Sequence, residues 1–166
     1  MSRRAILSVL VENEVGVLSR VVGLFSQRGY NIESLTVAPT DDVTLSRLTV
    51  ISEGDDATIE QIIKQLYKIV EVVKVQDLSE IDSIERGIML IKVRAATNDL
   101  RSEIKRTVDI FRAQIVDVTP ETYTVQVVGP EDKLSAFIQA MGDAKVLEVA
   151  RSGVTGIARG TRVLSV

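Results

Sequence analysis

From Ile6 to Val11 the chain is apolar at nearly every position and rich in branched side chains, the pattern of a central strand covered on at least one side. After Glu12-Asn13-Glu14-Val15-Gly16 the period changes. Val17, Leu18, Val21, Val22, Leu24 and Phe25 recur at helical spacing, and Gly29 supplies a C-terminal stop. Tyr30 to Ala38 and Leu45 to Ser52 alternate apolar and polar residues on either side of Pro39-Thr40-Asp41-Asp42-Val43-Thr44, which predicts two strands joined by a turn. Ile59, Ile62, Ile63 and Leu66 predict a second helix, and Val70 to Leu78 a fourth strand.

The same order then returns. Ile88–Ala95 reads as strand, Leu100–Phe111 as helix, and Ala113–Thr119 with Thr122–Val128 as a hairpin through Pro120-Glu121. Pro130–Met141 follows as helix and Val146–Ala150 as strand. Two β-α-β-β-α-β units predict an α+β protein of two ferredoxin-like domains, each a four-stranded antiparallel sheet with two helices on one face. The polar run Ser79 to Arg86 marks the seam, giving domains 1–79 and 80–166. Ile6–Val11 and Leu35–Val37 carry more apolar surface than two helices need, so a partner is expected to cover the rest, and edge pairing makes a homodimer the default. A fragment ending near Ser79 is expected to fold and dimerise alone.

Composition narrows the chemistry. With 45% hydrophobic and 26% charged residues the chain falls among globular proteins. A net charge of −3 argues against general nucleic-acid binding, which needs a surplus of Lys and Arg. The absence of Cys and His removes thiol nucleophiles, imidazole bases and the usual zinc ligands. An enzyme is thereby disfavoured. The cysteine-free composition fits a reducing cytoplasm, and the apolar run Ala5–Val11 is too short to span a membrane.

The turn Glu12-Asn13-Glu14-Val15-Gly16-Val17-Leu18 leads into the first helix, whose unpaired amides and partial positive charge suit a carboxylate. Asn13 offers an amide for a carboxylate and a carbonyl for an ammonium, the two ends of a free amino acid. By spacing alone a structural role fits more readily, with Asn13 ending the strand and Gly16 turning the chain.

Asn13-x-x-Gly16-x-Leu18 at the first β-α turn resembles the ACT domain, a small-molecule sensor attached to many amino-acid enzymes. The likeness continues through Gly23-Leu24-Phe25-Ser26-Gln27-Arg28-Gly29-Tyr30-Asn31-Ile32-Glu33-Ser34-Leu35 as far as Asp41. That run closely resembles the acetolactate synthase small-subunit family. Phe111–Val118 and Glu148–Gly153 resemble its C-terminal domain, so the likeness covers nearly the whole chain. The resemblance implies a regulatory subunit, not an enzyme in its own right. It would activate a catalytic large subunit and confer feedback inhibition by a branched-chain amino acid, usually valine. Thiamine diphosphate, magnesium and FAD would belong to that catalytic partner, with no cofactor or metal on this chain. The effector would bind between two ACT domains of a homodimer, with Asn13, Gly16, Val17 and Leu18 from one protomer and Asn31 and Ile32 from the other. Val17, Leu18 and Ile32 would enclose its branched side chain. Gly16→Asp is expected to abolish effector binding and spare the fold, provided Gly16 needs no positive φ. A free-standing amino-acid sensor acting on another enzyme is the alternative, since fold and pocket would look the same.

Other features carry less. Gly153-x-x-Gly156-x-x-x-Gly160 with Arg151, Arg159 and Arg162 fits neither phosphate-loop pattern and reads as a flexible basic tail. Asp41-Asp42 and Asp55-Asp56 read as solvated turns. Arg101, Lys105, Arg106 and Arg112 offer a basic patch for an acidic surface, or simply a solvated helix face. An RNA-binding module of this fold would need sheet aromatics, and Leu45–Ile51 has none.

Overall fold

The computed structural model describes residues 1–142 and 145–166. It contains β1 (Arg3–Glu12), α1 (Val17–Gln27), β2 (Ser34–Pro39), β3 (Leu45–Gly54), α2 (Asp56–Leu66) and β4 (Val72–Asp77), followed after a 3-10 turn by β5 (Ser83–Arg94), α3 (Asn98–Ile110), β6 (Gln114–Val118), β7 (Thr122–Gly129), α4 (Glu131–Met141) and β8 (Val146–Ala158). The strands form two four-stranded sheets, ordered β2-β3-β1-β4 and β6-β7-β5-β8. Both have the expected ferredoxin-like arrangement.

The helices form for legible local reasons. In α1, Val17, Val21 and Phe25 fall four residues apart and are buried together. In α2, Ile59, Ile62 and Leu66, spaced three and four apart, are likewise buried together, and Asp55 caps the first turn by accepting from the Thr58 N–H at 2.7 Å. Asp55→Ala should cost about 1 kcal/mol of stability through loss of that cap, read as a shift in urea midpoint with unchanged slope; an unshifted midpoint would mean the cap is dispensable.

In the first sheet, Ala5, Leu7, Val9, Val11, Leu48 and Val50 face the helices and join Val21, Phe25 and Ile62 in one core. The other face holds Ile6 and Ile51, each no more than 5% exposed. These pack with Leu78, Val154 and Ala158 in a second cluster. The chain itself, through its C-terminal strand, therefore covers much of the surface expected to await a partner. Ser34 and Thr36 hold that strand at Val154: Ser34 Oγ accepts from its N–H at 3.2 Å, and Thr36 Oγ1 donates to its carbonyl at 2.9 Å.

Three expectations are corrected. The stretch expected as a flexible tail is strand as far as Ala158, because Val154, Gly156 and Ala158 alternate onto an apolar face. The polar seam is shorter than expected, since β5 already begins at Ser83. By spatial clustering the compact units are 1–84 with 154–166, and 85–153, so the last residues belong with the first unit and not the second. A fragment ending near Ser79 would lack them.

The second unit has its own core, with Met89, Ile91, Val93, Ile104, Val108, Val125, Val127 and Phe137. Phe111 meets Phe137 edge-on, with centroids 5.3 Å apart. Its outward positions on β5 and β7, such as Ile88, Leu90 and Val128, stay exposed.

Candidate functional site

The β1-α1 turn is built by two backbone requirements. Gly16 adopts φ +86°, a left-handed conformation natural to glycine, and no side chain caps the helix it precedes. The Val17 N–H reaches back to the Glu14 carbonyl at 3.4 Å, so Leu18 and Ser19 are the first-turn positions whose amides a ligand would use. Asn13 is tied to the β2-β3 hairpin: its N–H donates to the Thr44 carbonyl at 2.7 Å and its side-chain Nδ2 to the Val43 carbonyl at 3.1 Å. With one Nδ2 hydrogen spent on the fold, Asn13 can still offer a ligand its carbonyl oxygen and its second Nδ2 hydrogen. The structural role read from spacing is thus observed, and among the described residues it leaves the side-chain carbonyl oxygen unused.

The two hydrophobic neighbours differ. Leu18 is 43% exposed and open to a ligand, whereas Val17 is 3% exposed and belongs to the core. The expectation that the Val17 side chain encloses an effector is corrected; its place in the helical stripe with Val21 and Phe25 turns it inward. Ile32 is part-buried against the same core. Asn31 is exposed, and its carbonyl accepts from Ser52 Oγ at 2.5 Å, which fixes the loop that follows α1.

These residues do not meet within one chain. Asn13, Gly16 and Leu18 lie at the start of α1, Asn31 and Ile32 beyond its end, and eleven residues of helix separate them by about 16 Å. One chain keeps the two groups apart.

A charged pair beside Gly16 escaped the sequence reading. Arg20 Nη2 donates to Glu71 Oε1, and a Cβ built on Gly16 would lie 3.1 Å from Arg20 Nη1. Glu71's own backbone amide, with the Arg20 guanidinium, holds its carboxyl below the usual carboxylate range. Arg20 was detectable as the i+4 neighbour of Gly16, but nothing local pointed to Glu71, 51 residues away. Among the described residues no group of three or more His, Cys, Asp or Glu converges to hold a metal ion. Nor is any helix among them long and apolar enough to cross a membrane.

Two ferredoxin-like units, the first with a glycine-turned helix N-terminus and an asparagine beside it, define a protein of the ACT-type class. Residues 7–74 match the model of the AHAS small subunit-like ACT domain, and residues 86–160 that of the small subunit of acetolactate synthase. The acetolactate synthase isozyme 3 small subunit of Salmonella typhimurium is 59% identical over 97% of this chain and 99% of its own length. That of Escherichia coli is 58% identical, with the same coverage. The crystal structure of the acetolactate synthase small subunit from Thermotoga maritima superposes with a TM-score of 0.87 at 42% identity, covering 96% of this chain and 99% of that one. The chain belongs to the acetolactate synthase small-subunit family.

Proposed function

We propose that this chain activates the thiamine-diphosphate-dependent large subunit of acetolactate synthase and makes it sensitive to valine, working as a homodimer in the cytoplasm. The observation that carries the reading is the separation of the two half-sites by the length of α1. A second copy, with its α1 antiparallel, would bring the exposed Leu18 and the amides of one protomer against Asn31 and Ile32 of the partner subunit. The effector carboxylate would meet the helix N-terminus, its ammonium the side-chain carbonyls of Asn13 and the partner's Asn31, and its branched side chain Leu18 and the partner's Ile32. Thiamine diphosphate, magnesium and FAD would be held by the large subunit, this chain holding no cofactor. A ligand bridging two chains binds the assembled native state alone, so a hundredfold excess over its dissociation constant would stabilise by about 2.7 kcal/mol.

The test is co-purification with the large subunit followed by an acetolactate assay with and without valine. Raised activity that valine suppresses, together with a valine-dependent rise in Tm of the isolated dimer, is expected. Turnover of pyruvate by this chain alone, or a reconstituted enzyme indifferent to both the chain and valine, would overturn the reading.

A further inference from the structure

The first unit contains a cavity of about 500 Å³ on the sheet face away from the helices, between the β2-β3 hairpin and the C-terminal segment. It lies apart from Gly16 and Asn31. Its apolar wall includes Leu10, Pro39 and Leu164, and its polar lining includes Thr36, Thr40, Asp41, Asp42, Arg47 and Thr155.

Most of these polar groups are already spent. Thr36 Oγ1 donates to the Val154 carbonyl, and Thr40 Oγ1 to the Asp42 carbonyl at 2.8 Å. The Asp42 carboxylate accepts from the Thr44 hydroxyl at 2.7 Å and the Thr44 N–H at 2.9 Å, which hold its carboxyl below the usual range. Two charges remain. Arg47 makes one hydrogen bond, from Nη2 to the Gly156 carbonyl at 2.9 Å, while its buried Nε has no partner. Burial pushes the guanidinium down, with no carboxylate opposing that effect. Asp41, an exposed residue, also lines the cavity, and its carboxylate has no hydrogen-bond or ion-pair partner among the described residues.

A part-buried cation without a counterion is a cost that a fold avoids by pairing it. Here the opposite charge lines the same space yet does not close the pair. An anion alone would meet Arg47 but be repelled by the two aspartates; a cation alone would meet Asp41 but be repelled by Arg47. A zwitterion satisfies both, and the apolar wall accommodates a short hydrocarbon side chain.

We propose that this cavity is a second binding site, one per chain, for a free apolar α-amino acid, with its carboxylate on Arg47 and its ammonium on Asp41. The site lies within one protomer and does not depend on the effector reading.

The experiment is a titration of the isotopically labelled full-length chain with L-leucine, following backbone amide resonances. Saturable shifts at Thr36, Arg47 and Thr155 are expected, separate from any at Gly16 or Asn31. 4-Methylpentanoate and 3-methylbutylamine, which are leucine without its ammonium and without its carboxylate, should bind the cavity roughly tenfold or more weakly, about 1.4 kcal/mol. Asp41→Asn, at an exposed turn, should abolish or weaken the cavity shifts without altering Tm, and Arg47→Met should do so while keeping the aliphatic stem. Cavity shifts that persist in both variants, or 4-methylpentanoate binding as tightly as leucine, would overturn the proposal. So would shifts confined to Gly16 and Asn31, which would leave the effector reading intact; cavity shifts without those would do the reverse.

Discussion

Gly16→Asp should give a small subunit that still activates the large subunit but no longer permits valine inhibition. The new carboxylate would stand at the start of α1, where the effector's own carboxylate is proposed to bind. Like charges about 4 Å apart repel by roughly 1 kcal/mol in water and several times more in a shielded site. The condition set by the sequence reading is not met, because Gly16 has φ +86°. Strain of about 1–2 kcal/mol is expected for an L-residue there, although Asp tolerates this region better than most. The steric cost is small, since the nearest atom to the new Cβ is the flexible end of Arg20, 3.1 Å away. Arg20 is also a ready partner for the introduced carboxylate, which further neutralises the anion site. Gly16→Ala separates the effects, carrying the strain without the charge. We expect both variants to melt a few degrees below the parent, with valine inhibition abolished in Gly16→Asp and only weakened in Gly16→Ala. A folded Gly16→Asp protein whose valine titration matches the parent would place the effector elsewhere, and loss of activation in both variants would show damage to the fold.

A fragment ending at Ser79 should fail to behave as an independent domain, contrary to what its complete β-α-β-β-α-β pattern suggests. Removing residues 154–158 exposes Ile6, Ile51 and Leu78, which the intact chain holds at no more than 5% exposure. Each such side chain contributes about 1.5–3 kcal/mol when fully buried. The loss is then comparable with the whole stability of a small domain, about 5–15 kcal/mol. The hydrogen bonds from Thr36 and Arg47 to the Val154 and Gly156 carbonyls are lost as well. We expect the fragment to bind a hydrophobic dye and precipitate, and residues 1–84 joined by a flexible linker to 154–166 to recover cooperative unfolding. In the full chain, Val154→Asp should cost about 3 kcal/mol or more by burying an unpaired charge against Ile6 and Ile51. A soluble fragment with the same urea midpoint as the rejoined chain would contradict the role assigned to the C-terminal strand.

Element types and the twofold repeat were legible because each rests on neighbours in sequence. The stripe of Val17, Val21 and Phe25 needs only the helical period, and the alternation through β5 needs only the pleat. The glycine turn and its asparagine were also legible, because a helix N-terminus is a local object. Contacts that join distant positions were not. Residues 153–162 carry glycines and arginines that suit a loop, and only the exposed face of a sheet formed some 120 residues earlier makes Val154 and Ala158 apolar anchors. For the same reason Arg47 reads as an ordinary outward residue of an amphipathic strand until a covering segment desolvates it. The inward turn of Val17 and the Glu71 partner of Arg20 were likewise decided by packing. Sequence alone determined two ferredoxin-like units through local period and pattern, while their class and the proposed effector residues came from resemblance to a family. Tertiary structure alone decided which face of each sheet is covered, which motif side chains remain exposed and that α1 keeps Gly16 and Asn31 apart, because burial and long-range pairing depend on the whole fold.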